Sequence, residues 1–226
     1  MKTVMAVCAV LAAGSPAFAQ EALAWPTKME LSAQAGASHA RAGEIEWSSE
    51  FSLRYSIIGG NDGAGGKWSD DFRNGYGFRL NEVLQFHLNE TWSIGGYISA
   101  GLDVFSAKGS GNDDWLLFPF TVGFQGRARF GGGWFAEGYV GIGFVAYPDV
   151  DTTIGGVSTP VFDSSIAFAF EIGGRFGYRF TQQLGVFVGV GYEHWGEPDV
   201  NQTTFPNGSA KPVENTILEA GLWFRF

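Results

Sequence analysis

The segment Glu219-Ala220-Gly221-Leu222-Trp223-Phe224-Arg225-Phe226 alternates in character and stops on an aromatic ring. Successive side chains of a β-strand point to opposite faces. Ala220, Leu222, Phe224 and Phe226 therefore share one apolar side, and Glu219 and Arg225 fall on the other. The same period of two recurs toward the N-terminus. Ile45, Trp47, Phe51, Leu53, Tyr55 and Ile57 alternate with Glu46, Ser48, Glu50, Ser52, Arg54 and Ser56. That stretch is longer than the ~9–11 residues a tilted strand needs to cross a bilayer. Similar segments run over 75–88, 92–105, 115–130, 134–147, 165–180, 184–195 and 215–226, which predicts eight strands.

Connections between them fall into two classes. Asn89-Glu90-Thr91, Gly131-Gly132-Gly133 and Thr181-Gln182-Gln183 are tight turns, whereas 58–74, 106–114, 148–164 and 196–214 are long and rich in Gly, Asp, Asn and Pro. The classes alternate without a break, as expected of an up-and-down antiparallel barrel with short turns facing the periplasm and long loops facing outward. Residues 29–37 alternate weakly, and Glu82 falls on the apolar side of 75–88. A β-bulge near Asn81-Glu82 would re-aim that carboxylate. Either place could hide a ten-strand barrel.

The N-terminus indicates export. Lys2 precedes an apolar run from Val4 to Ala13, and Ala17-Phe18-Ala19 is a small-x-small cleavage site before Gln20, the layout of a secretory signal peptide. This divides the chain into a signal peptide (1–19), a periplasmic lead-in (20–43) and a transmembrane barrel (44–226). Cys8, the single cysteine, lies inside the signal, so no disulfide, thiolate metal site or cysteine nucleophile is expected after cleavage. Mean hydropathy is only +0.02, because lipid-facing residues alternate with polar ones. A net charge of −9 argues against nucleic acid as a partner.

On these residues the chain resembles the outer-membrane barrels of Gram-negative bacteria. Glu219, Gly221, Phe224 and Phe226 match the terminal signal that such barrels present to the barrel-assembly machinery. The resemblance is to the small OmpA/OmpX-type proteins, and it implies outer-membrane lipid and lipopolysaccharide as surroundings, a monomer, and no cofactor.

The two strand faces divide sharply. One is apolar, with Leu116, Phe118, Phe120, Val122 and Phe124 in a single strand, and aromatics gather near both strand ends as at lipid–water interfaces. The opposite face collects charge: Arg54, Arg79, Arg127, Arg129, Arg175, Arg179 and Arg225, with Glu46, Glu50, Asp103, Glu137, Glu171, Glu193 and Glu219. In eight strands the interior is just filled by side chains, so this set is expected to pair into a salt-bridge plug. In a wider barrel the same residues would form a charged ladder for solutes, the channel alternative. Acidic outer loops are expected to form a solvated surface.

Chemistry is sparse. Three histidines, His39, His87 and His194, lack metal-ligand spacing, and no phosphate loop or nucleophile elbow is present. His194 and Glu214 are the only catalytic candidates. Around them, and at Trp134-Phe135-Ala136-Glu137-Gly138, the chain is loosely similar to outer-membrane lipid A deacylases, which carry a His-x-Ser pair with a Glu on the last strand. Gly196 occupies the serine position here, and a triad without its hydroxyl cannot acylate. The expected role is therefore non-enzymatic: envelope integrity, or surface contact through the outer loops. Cleavage after Ala19 is predicted to leave Gln20, or its pyroglutamate form, at the N-terminus. Mass spectrometry of protein from membranes checks this, and a mature chain retaining Met1 would overturn it.

Overall fold

The structure, a computed structural model, describes residues 42–63, 65–108, 114–154 and 157–226. The expected signal peptide, nearly all of the expected lead-in and the 29–37 segment lie outside these residues. Eight strands form a closed barrel: β1 (Ile45–Gly59), β2 (Gly75–His87), β3 (Trp92–Phe105), β4 (Trp115–Arg129), β5 (Trp134–Tyr147), β8 (Ser165–Arg179), β9 (Leu184–Trp195) and β10 (Val213–Arg225). Neighbours pair antiparallel, and β1 is bonded to both β2 and β10, with Ser48 opposite Arg225 and Gly59 opposite Glu214. That double pairing leaves no edge for a ninth strand. The ten-strand alternative is ruled out.

The expected bulge at Asn81-Glu82 is also absent. Glu50↔Asn81, Ser49↔Glu82 and Ser48↔Val83 follow one another without a shift. Glu82 keeps its lipid-side parity because local donors satisfy it. Its carboxylate accepts hydrogen bonds from Trp47 Nε1 at 2.8 Å and Ser49 Oγ at 2.7 Å.

Local chemistry sets the turns. Asn89 Oδ1 accepts from the backbone N–H groups of Thr91 and Trp92, and Thr181 Oγ1 does the same for Gln183 and Leu184. At 131–133 the chain reverses through Gly132 (φ 76°) and Gly133 (φ 91°), conformations that favour glycine. A Cβ on Gly133 would also lie 2.7 Å from the carbonyl oxygen of Arg179.

The outer connections carry more structure than their composition suggested. A short helix, α1 (Trp68–Asp71), sits in the first. The 148–164 connection holds a hairpin of β6 (Val150–Ile154) and β7 (Val157–Phe162). Its β-branched residues flanking Gly155-Gly156 are a hairpin signal that the loop reading overlooked.

Outside, the wall is an apolar belt. Phe124 is 76% exposed, Ile166 73% and Leu53 64%, a surface that in water would be a large aggregation hazard. Trp47, Phe86, Trp92, Phe130 and Trp134 ring the end with the short turns, expected to face the periplasm, and Tyr55, Tyr76, Phe144 and Phe168 the end with the long connections, all exposed. Val122 lies in the row Ile98–Val122–Ile142. Val122→Arg should destabilise the folded barrel by roughly 2–4 kcal/mol, the cost of an arginine near the bilayer midplane, with Val122→Leu close to neutral. Urea unfolding in liposomes measures both, and equal stabilities would refute the lipid-facing assignment.

Candidate functional site

The inward side chains stack in four layers. At the outer end, Phe105, Trp115, Leu117, Val145, Tyr147, Trp195 and Val213 are fully buried. The outer connections insert Trp68, Phe72 and Phe162 among them. Trp115 stacks on Phe72 at 5.0 Å, Tyr147 at 5.4 Å and Phe162 at 5.7 Å, and lies 5.3 Å from Trp68. The expected salt-bridge plug did not include this seal. A signal was present: Trp115, Leu117, Val145, Tyr147 and Trp195 all sit on inward parity at outer strand ends.

Below the seal, Arg54 bridges Glu193 at 2.6 Å and Asp103 at 3.3 Å. Arg79 reaches Glu193 at 2.7 Å and Glu171 at 3.3 Å. Glu171 also accepts hydrogen bonds from Tyr97 at 2.7 Å and from the Thr121 hydroxyl. Glycines make room for this layer: a Cβ on Gly141 would lie 2.3 Å from the Tyr97 hydroxyl, and one on Gly173 would lie 2.4 Å from Cζ of the Tyr139 ring.

The next layer is a ring of shared partners. Arg127 contacts Glu50 at 2.8 Å and Glu137 at 2.7 Å; Arg175 contacts Glu50 at 2.6 Å, Glu137 at 3.1 Å and Glu219 at 2.7 Å. Glu137 stands directly opposite both arginines in the strand register. The guanidinium carbons also lie over rings, Arg127 over Phe135 (4.9 Å) and Arg175 over Tyr139 (4.5 Å), so these planar cations are packed as well as paired.

At the periplasmic end Glu46 meets Arg129 at 3.2 Å and Arg225 at 3.4 Å, and Arg225 reaches Glu44 at 2.6 Å. Arg129 Nη1 lies 2.7 Å from His87 Nδ1. Arg179 departs from the sequence expectation. No carboxylate of the described residues comes within ion-pair distance, and its guanidinium lies 5.9 Å from the Trp223 ring. Between these layers, the cavity lined by Arg54, Arg79, Tyr97, Glu171, Arg175 and Glu219 measures about 10 Å³, room for no more than one water molecule.

No protein-family model matches the chain, and no curated protein does. Solved structures do. OprG from Pseudomonas aeruginosa, an outer membrane protein, superposes with a TM-score of 0.50 over 82% of this chain and 97% of its own, at 14% identity. The fold is that of the bacterial outer-membrane barrels. Outer membrane protein AlkL aligns at a TM-score of 0.48 and 18% identity, over 83% of this chain and 92% of its own. The outer membrane enzyme PagL aligns at 0.46 and 18%, over 76% and 97%.

On the outer rim of this outer-membrane barrel, His194 and Glu214 are register partners across β9 and β10. They line an open recess of about 580 Å³ together with Asn61 and Lys211. Gly196 lies apart from that recess, its N–H donating to the Phe168 carbonyl and its own carbonyl accepting from Tyr147. A Cβ there would crowd Ala167 Cβ at 3.0 Å. In the first outer connection burial raises the Asp71 carboxyl above its ordinary value, and neighbouring Asp62 and Asp70 add to the effect. Among the described residues no group of three His, Cys, Asp or Glu side chains is placed to hold a metal ion.

The shared ring makes a specific energetic prediction. Arg127→Ala or Arg175→Ala should each cost roughly 3–5 kcal/mol, the cost of stranding buried carboxylates. Because Glu50 and Glu137 serve both arginines, the double variant should depart from additivity by roughly 0.5–3 kcal/mol. A double-mutant cycle by denaturant unfolding in detergent measures the coupling; strict additivity would mean that the two arginines act independently.

Proposed function

We propose that the chain is a closed, non-conducting outer-membrane barrel that reinforces the envelope and meets other surfaces through its outer connections. The observation that carries this reading is the filled lumen. Three charged layers and an aromatic seal lie across any path from one mouth to the other, and the cavity between them is about 10 Å³. A solute channel needs a continuous wet path, which eight strands provide only if their interior side chains are small. Here they are tryptophan, tyrosine and arginine.

The rim recess favours a small contact site over a hydrolase. His194 and Glu214 could polarise a water molecule, but the position that would supply a nucleophilic hydroxyl is Gly196. Envelope support and loop contact need neither a nucleophile nor a conduit.

Planar-bilayer recording of the purified protein tests the proposal. Rare, small conductance steps are expected. Steady porin-like current from the wild type would overturn the closed-barrel reading and favour the channel.

A further inference from the structure

Among the described lipid-facing strand positions, the aromatic girdles enclose a single carboxylate, that of Glu82; His194 and Glu214 stand at the outer strand ends. An ionisable side chain facing lipid is costly and marks a site of interaction. Glu82 is held in place, because Trp47 Nε1 and Ser49 Oγ donate to its two oxygens at 2.8 and 2.7 Å. Those bonds leave lone pairs open, since a carboxylate can accept about four hydrogen bonds.

Beside it the outer wall is hollowed into a groove of about 740 Å³, bounded by Trp47 and Glu82 at one end and by Val122 and Ile142 further along. Gly96 lowers its floor. A Cβ there would meet only the Gly123 carbonyl oxygen, at 3.6 Å.

Depth decides what can reach the carboxylate. Phe86, the girdle residue on the same strand, lies four residues nearer the periplasmic end than Glu82, about 10 Å at ~3.3 Å per residue and a tilt of ~40°. The girdle ring of Trp47 spans that interval, since its Nε1 meets the carboxylate at 2.8 Å, and it marks the route by which a headgroup of the inner leaflet reaches Glu82.

We propose that this groove binds an amine-headed phospholipid of the inner leaflet. The primary ammonium donates to Glu82 and lies against the exposed Trp47 ring, which attracts cations through its π face, while an acyl chain fills the groove past Gly96. Charge selects this occupant over a second copy. A two-fold contact through the same patch would bring two Glu82 carboxylates together, and none of the described lipid-facing strand positions offers a lysine or arginine to separate them.

The test is native mass spectrometry of the purified full-length protein after incubation with mixed vesicles of equal phosphatidylethanolamine and phosphatidylglycerol. The wild type should retain phosphatidylethanolamine several-fold over phosphatidylglycerol, and Glu82→Gln should retain both alike. Gly96→Leu, which fills the groove with an apolar side chain, should lose the bound lipid while leaving the carboxylate in place. Heat-modifiable gel migration reports whether each variant is folded. Equal retention by the wild type, unchanged preference in Glu82→Gln, or a wild-type homodimer that Glu82→Gln dissolves would each overturn the proposal.

Discussion

Closure on eight strands is the constraint from which the rest of the structure follows. In hydrocarbon every backbone N–H and C=O must find a partner within the protein, and pairing β1 with β10 meets that demand by removing both edges. The same closure fixes the lumen at a width that side chains can just fill. Arginines on inward parity are then forced into contact with residues from the far wall. Arg175 on β8 reaches Glu50 on β1, and Arg127 on β4 reaches the same carboxylate. Long-range ion pairs here are a consequence of circumference, and they tie together strands that share no backbone hydrogen bonds.

Charge within the lumen is not evenly balanced. Arg54 and Arg79 face three carboxylates, Asp103, Glu171 and Glu193; Arg127 and Arg175 face Glu50, Glu137 and Glu219. At the periplasmic end the excess reverses: Arg129 and Arg225 share Glu44 and Glu46, and Arg179 pairs with neither. A buried charge that lacks a counterion must be compensated by hydrogen bonds. Neutral donors supply them: Tyr97 and Thr121 donate to Glu171, Tyr139 to Glu219, Asn81 to Glu50 and Gln125 to Glu137. The polar neutral residues of the inner face are therefore as necessary to the plug as the ions.

Much of this was legible in the sequence. Period-two alternation over 45–57 and 115–130 assigned lipid and lumen faces one residue at a time, and the alternation of short and long connections gave strand number and direction. Lipid-side polarity misled at Glu82, because a bulge and a locally satisfied carboxylate produce the same pattern, and only cross-strand distances to Trp47 and Ser49 separate them. Arg179 misled in the opposite way: inward parity places a guanidinium in the lumen but cannot say whether it meets a carboxylate or the Trp223 ring. The aromatic seal was missed for a third reason. Trp68 and Phe72 lie in a connecting segment with no strand period to assign them a face, and Phe162 ends a hairpin strand outside the barrel; all three reach Trp115 only through the tertiary fold.

That seal changes what the outer connections can be. A loop that contributes Trp68, Phe72 or Phe162 to the barrel interior is anchored by the burial of a whole aromatic side chain, roughly 1.5–3 kcal/mol each for groups of this class. The connection between β1 and β2 and the β6–β7 hairpin are thus extensions of the lumen core, stabilised by apolar contact where the layers beneath depend on charge. Their outward polar residues ride on a fixed frame, which lowers the ordering entropy a surface contact would otherwise have to overcome. Under the proposed contact role this arrangement is an advantage, because the ring stack that blocks the lumen is the one that would hold such a surface still.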